Sequence, residues 1–82
     1  MSNQLPPARR PGDTFKSESA WLTPQGRIVF ARLTRRGQGA GKRALWLVWS
    51  RDRGERSYAD EREAREAYAA AVKRLESARP AK

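Results

Sequence analysis

"RGQGAGKRALWLVW", residues 36–49, decides the fold. Three glycines alternate ahead of Lys42-Arg43, and a nearly unbroken apolar run comes after them. A nucleotide-binding phosphate loop needs G-x-x-x-x-G-K-[ST] behind a buried strand, opening a helix whose N-terminus meets the phosphates. Here Arg43 stands where the metal-binding hydroxyl would be, and Arg36 occupies the position five before Gly41. The residues after Arg43 are strand-forming rather than helical. The stretch is therefore read as a flexible hairpin loop, "GQGAG", feeding a strand over residues 42–51. Its alternation puts Leu45, Leu47 and Trp49 on one face and Ala44, Trp46, Val48 and Ser50 on the other.

Outward from this loop, "RIVFARLTRR" (27–36) is rich in β-branched and aromatic residues and reads as the partner strand. Its faces are Ile28, Phe30, Arg32 and Thr34 against Val29, Ala31 and Leu33, the second being the cleaner core face. "TPQG" (23–26) before it is a β-turn, with Pro24 presetting φ. Trp21-Leu22 is a candidate short fourth strand at an edge. On the other side, "DRG" (52–54) marks a tight turn, so "ERSYA" (55–59) returns as a third antiparallel strand.

The last element is a helix. Asp60 sits at an N-cap, with Glu63 at the capping-box spacing. Ala64, Ala67, Tyr68, Ala71, Val72 and Leu75 recur as one apolar stripe. Acidic residues crowd its start and Lys73, Arg74 and Arg79 its end, as the helix dipole favours. Pro80 stops it, which predicts a helix over about residues 60–78.

These elements define an α+β fold: an antiparallel three-stranded sheet, four-stranded if Trp21-Leu22 joins it, packed by one C-terminal helix. Residues 1–18 hold three of the five prolines with little apolar periodicity, and read as a disordered basic arm. Residues 19–79 form the single domain and residues 80–82 a tail. A helix on one face would cover Val29, Ala31, Leu33, Leu45, Leu47 and Trp49. That leaves Ile28, Phe30, Trp46 and Val48 on the other face. Three fates are open to this aromatic face: contact with nucleic acid, a second small core, or pairing with another chain.

Composition narrows the function. The chain has 82 residues, no cysteine and no histidine. This removes thiolate metal sites, Ser-His and Cys-His nucleophiles, and the commonest general base. No acid, base or nucleophile constellation assembles from the rest, so no enzyme, cofactor or metal is expected. No apolar run reaches a membrane span and no signal-type apolar segment opens the sequence, so the expectation is a cytoplasmic protein with no membrane partner.

Charge is the strongest signal. The net is +9, and residues 1–59 carry 12 Lys/Arg against 4 Asp/Glu, while residues 60–82 carry 6 against 5. An excess gathered in one part of a small domain attracts polyanions. Arg35, Arg36, Lys42 and Arg43 flank the hairpin loop like a phosphate-contacting finger, with Arg9 and Arg10 on the arm. Trp46 on an arginine-rimmed face could stack on bases. The leading expectation is a small DNA-binding protein of bacteria or their mobile elements, a regulator of transcription or a recombination accessory. The rival is a protein-interaction module or small inhibitor that binds a partner, or a second copy of itself, through the Phe30/Trp46 face.

"QGRIVFARL" followed by "RSYADEREAREAYAAAV" resembles the three-stranded-sheet-plus-helix DNA-binding domains of plant ethylene-response factors, the APETALA type. It is also similar to the arm-binding domains of tyrosine recombinases, and shares a layout with Trp-Gly-Arg-type small domains. The matching positions are Gly26, Ala31, Arg32, Tyr58, Glu63, Ala64, Ala67, Tyr68, Ala70 and Ala71. The strand tryptophan and the "W-x-G" signature of the plant domains are missing, and the hairpin here is longer. The resemblance implies a sheet lying in the major groove of duplex DNA, with Arg27, Arg32, Arg35, Arg43 and Arg51 reading bases and phosphates.

Overall fold

A computed structural model describes residues 6–37 and 44–79. Four strands and one helix occur in order: β1 (Asp13–Thr23), β2 (Gly26–Arg36), β3 (Leu45–Ser50), β4 (Gly54–Tyr58) and α1 (Glu61–Glu76). The sheet is antiparallel throughout, in the order β1-β2-β3-β4, and α1 covers one face. This is the expected α+β architecture in its four-stranded form.

The N-terminal strand is longer than the sequence suggested. Residues 13–18, read as the end of a disordered arm, form the first half of an 11-residue edge strand paired to β2 from Asp13↔Arg36 onward. The segment "DTFKSES" carries a single large apolar residue because an edge strand leaves half its length to solvent. Its pairing is held by backbone bonds and by charge rather than by apolar alternation. Both turns behave as read. The Thr23 hydroxyl donates to the Gly26 carbonyl and accepts from the Gln25 N–H, and Gly54 closes the β3–β4 turn at φ 79°, a region other residues rarely adopt.

Cross-strand register sorts the side chains into two faces. Toward the helix lie the rows Thr14–Arg35–Trp46–Tyr58, Ser17–Leu33–Val48–Arg56 and Ser19–Ala31–Ser50–Gly54. Away from it lie Asp13–Arg36–Leu45, Phe15–Thr34–Leu47–Ser57 and Glu18–Arg32–Trp49–Glu55. The helix therefore covers Trp46 and Val48, not Leu45, Leu47 and Trp49 as the alternation suggested. Two strand faces of similar hydrophobicity cannot be ranked by period alone, since burial on either satisfies the same pattern.

A β-bulge explains the second departure. Between Ser19↔Ala31 and Ala20↔Val29 the β2 strand carries one extra residue, Phe30. The insertion breaks strict alternation, so Phe30 and Ala31 both enter the core beneath α1, with Ile28 alongside. Trp21 stacks on Phe30, centroids 4.6 Å apart, against Ala71 and Leu75. A second cluster joins Leu33, Trp46, Val48 and Ala64. Tyr68 packs against both, and its hydroxyl shares a 2.6 Å hydrogen bond with Ser19 Oγ.

The helix stripe matches the sequence expectation, with Ala64, Ala71 and Leu75 buried. Small residues let the helix axis come close to the sheet. At its start the Asp60 carboxylate accepts from the Arg62 N–H, and the Glu61–Arg65 pair forms at 2.7 Å.

Candidate nucleic-acid interface

The arginines picked out by the sequence fall into distinct environments, set by where their strands end. One group is structural. Arg32 lies in the middle of the face away from the helix, its side chain only 11% exposed. Its Nε and Nη2 reach Glu18 Oε2 at 2.8 and 2.6 Å, and its Nη1 donates to the Pro7 carbonyl at 2.9 Å. Its guanidinium stacks 4.2 Å over the Phe15 ring. Trp49, its cross-strand neighbour, is buried although α1 lies on the other face. Arg32, Phe15 and the passing Pro7 segment thus do for this face part of what α1 does for the other.

Glu18 also holds Arg27, at 2.6 Å near the β1–β2 turn. Burial pushes the Glu18 carboxyl up, but the hydrogen bonds from Arg27 and Arg32 outweigh it and hold it below its ordinary value. Arg51 begins the β3–β4 turn at that same distal end, its N–H donating to the Phe30 carbonyl, and its side chain is half-buried and engaged. Trp46 belongs to the core, 7% exposed beneath α1, with Arg65 5.8 Å from its ring. Phe30 is 2% exposed. The aromatic surface expected to meet bases or a partner chain is therefore interior.

The second group gathers at the opposite end of the sheet, around Asp13. This carboxylate is buried, and Arg36 binds it through Nε and Nη2 at 2.7 and 3.2 Å. Its Oδ2 also accepts from the Arg10 N–H, closing a turn with the Asp13 N–H bonded to the Arg10 carbonyl. Arg9 Nε donates to the Asp13 carbonyl at 3.3 Å. The Arg36 hydrogen bond dominates and holds the Asp13 carboxyl below the usual range. Next to it the Gly37 N–H bonds the Gly12 carbonyl at 2.9 Å, tying the start of β1 to the mouth of the β2–β3 hairpin. Gly12 has φ +87° there, and a Cβ on it would come within 3.2 Å of the Gly37 oxygen.

Asp13 thus brings Arg9 and Arg10, read from sequence as arm residues, to the place where Arg35 and Arg36 leave the sheet. Arg35 is exposed and, like Arg10, has no carboxylate partner among the described residues. Lys42 and Arg43 lie outside the described residues, a few positions along the chain from Gly37. Exposed arginines on a rigid strand end, with their guanidinium forks unpaired, suit bidentate contact with phosphate oxygens.

Sequence reasoning missed two features. Asp13 looked like an isolated arm residue; only its register opposite Arg36 reveals its role. Arg53 and Arg56 were not singled out, although alternation in "GERSY" already places Gly54, Arg56 and Tyr58 on one face. No group of three or more Asp or Glu among the described residues could hold a metal, and no helix there is long and apolar enough to cross a membrane. No protein-family model, curated protein or solved structure matches the chain.

Proposed function

We propose that this chain is a small nucleic-acid-binding protein that takes duplex DNA, as a regulator or recombination accessory, through the basic end of its sheet. The observation that carries the reading is the gathering of four arginines at the Asp13 end of the sheet. Arg36 pairs with the buried carboxylate, the Arg10 backbone N–H donates to it, Arg9 donates to the Asp13 backbone carbonyl, and Arg35 stands beside Arg36 on the opposite face of β2. Lys42 and Arg43 come within a few residues of Gly37 in the chain. A fixed cluster of this kind presents several forks at once, so phosphate contacts form without ordering long flexible arms.

The likeness to the plant ethylene-response domains would send the open sheet face itself into the major groove. Arg32, committed to Glu18, Pro7 and Phe15, is poorly placed for that use. Contact through the sheet end and the hairpin keeps the same partner but favours backbone phosphates over base edges. Binding would then depend steeply on salt and weakly on sequence.

Fluorescence anisotropy with a labelled 20-base-pair duplex over a series of salt concentrations tests this. With four or five phosphates neutralised, log affinity falls against log salt with a slope of about −4. A slope near zero, or no binding at low salt, rejects the proposal.

A further inference from the structure

A cleft of about 120 Å³ runs between β4 and the C-terminal half of α1. It exists because the helix faces β4 with Ala67 and Ala70, which are too short to fill the space above the last strand. Val48 and Ser50 of β3 form its floor, and Arg56 and Tyr58 line its β4 wall. Arg53, in the β3–β4 turn, and Arg74 also line it. Arg74 is occupied, held by Asp52 at 2.7 and 3.0 Å. Arg53 and Arg56 are exposed and have no carboxylate partner among the described residues.

Among the described residues the outer side of β4 is also an open sheet edge, since β4 is last in the strand order. An edge strand offers a row of backbone N–H and C=O groups to any extended chain that can lie against it. Beside a groove, that geometry suits a peptide added as a further strand, with its backbone giving affinity and alternate side chains giving specificity.

We propose that β4 is a docking edge for an extended acidic segment of another protein, added as a fifth strand. Charge fixes the pattern of the occupant. Side chains pointing to the helix side enter the cleft beside Arg53 and Arg56, and carboxylates there complete the two unpaired guanidinium groups. Side chains on the other side fall beside Glu55 and Ser57 of β4, where a second carboxylate would be repelled. The matching segment therefore carries Asp or Glu at alternate positions, with neutral or basic residues between. This surface lies across the sheet from the Asp13 cluster, so the proposal stands independently of nucleic-acid binding.

The test uses the full chain and a labelled ten-residue peptide alternating Glu and Val. A copy N-methylated at alternate residues keeps the charge but cannot form the ladder. Binding of the unmodified peptide should slow amide exchange in Gly54–Tyr58. Affinity should fall at least about tenfold with the N-methylated copy, and equally with the doubly reversed variant Arg53→Glu/Arg56→Glu. The variant Arg9→Glu/Arg10→Glu should bind the peptide within about twofold of the parent, apart from the general loss of positive field. Exchange of the unliganded variants, compared with the parent, verifies that they are folded. The proposal is overturned if no peptide binds, if the N-methylated copy binds as well, or if protection appears away from β4. It is also overturned if single-stranded DNA protects β4 and displaces the peptide, since the cleft would then be a nucleic-acid groove.

Discussion

The two faces of the sheet bury tryptophan by different means. Under α1, Trp46 sits among Leu33, Val48 and Ala64, and its burial comes mainly from apolar packing, with Arg65 at the ring. On the other face Trp49 is equally buried, but its row runs Glu18–Arg32–Trp49–Glu55. Charge replaces a second helix there: one guanidinium fastened to a carboxylate, a proline carbonyl and a phenyl ring. Arginine in this chain therefore occupies two settings, and its position relative to a carboxylate separates them. Where Glu18 is opposite, arginine closes the fold. At the Asp13 end Arg36 is spent on the carboxylate, while Arg10 and Arg35 are exposed with no carboxylate partner among the described residues.

Truncation on the helix side should break the fold most severely. Trp46→Ala empties the second core cluster and is expected to cost about 3–5 kcal/mol, read from urea denaturation. DNA affinity of the fraction still folded should be unchanged, because Trp46 meets no surface. A variant of parental stability that loses binding would return Trp46 to the interface.

Arg32→Ala attacks the other face. It strips one of the two cationic partners of Glu18 and the cover over Phe15, with an expected loss of about 1.5–3 kcal/mol. Acrylamide quenching should show one tryptophan newly accessible. If stability is retained and DNA binding falls instead, Arg32 is a contact residue and the distinction between the two arginine classes collapses.

Acid should weaken the charge-held regions next. The carboxyls of Asp13, Glu18 and Asp52 all titrate below their ordinary values in the folded chain, Asp52 reaching about 2 through its hydrogen bond from Arg74. A lowered folded value means that each carboxylate stabilises fully above its unfolded value near 4, and that this contribution disappears as pH falls through the folded value. Stability followed by circular dichroism should therefore hold from pH 7 to about 4.5 and decline between about 4 and 2. Because the Asp52–Arg74 pair is partly solvent-exposed, 0.5 M salt should blunt its share of that decline.

Much of this was legible in the sequence. The capped helix with its small-residue stripe, the 52–54 turn and the two central strands all follow from local chemistry. Three things did not. The Phe30 bulge adds one residue to a strand without altering its composition. The choice between two apolar faces of residues 45–50 depends on where α1 lands, which is a tertiary fact. The segment at residues 13–18 is polar because it forms a strand at the margin of the sheet, and polarity at a chain start reads as disorder. The candidate site was legible as a list of arginines but not as an arrangement, since Asp13 meets Arg36 only when β1 pairs with β2.

The proposed phosphate contact belongs to the Asp13 end and not to positive charge in general. Two triple variants with the same net charge decide it: Arg9→Ala/Arg10→Ala/Arg35→Ala at that end, and Arg62→Ala/Lys73→Ala/Arg79→Ala at exposed positions on α1 and just beyond it. Both should fold as the parent does. In duplex-DNA titrations across salt concentrations, the first should flatten the log–log slope by about 2.7, three contacts' worth. The second should shift it by less than about 0.5, since only the long-range field changes. Equal losses in the two variants, or a slope unchanged in the first, would contradict the account.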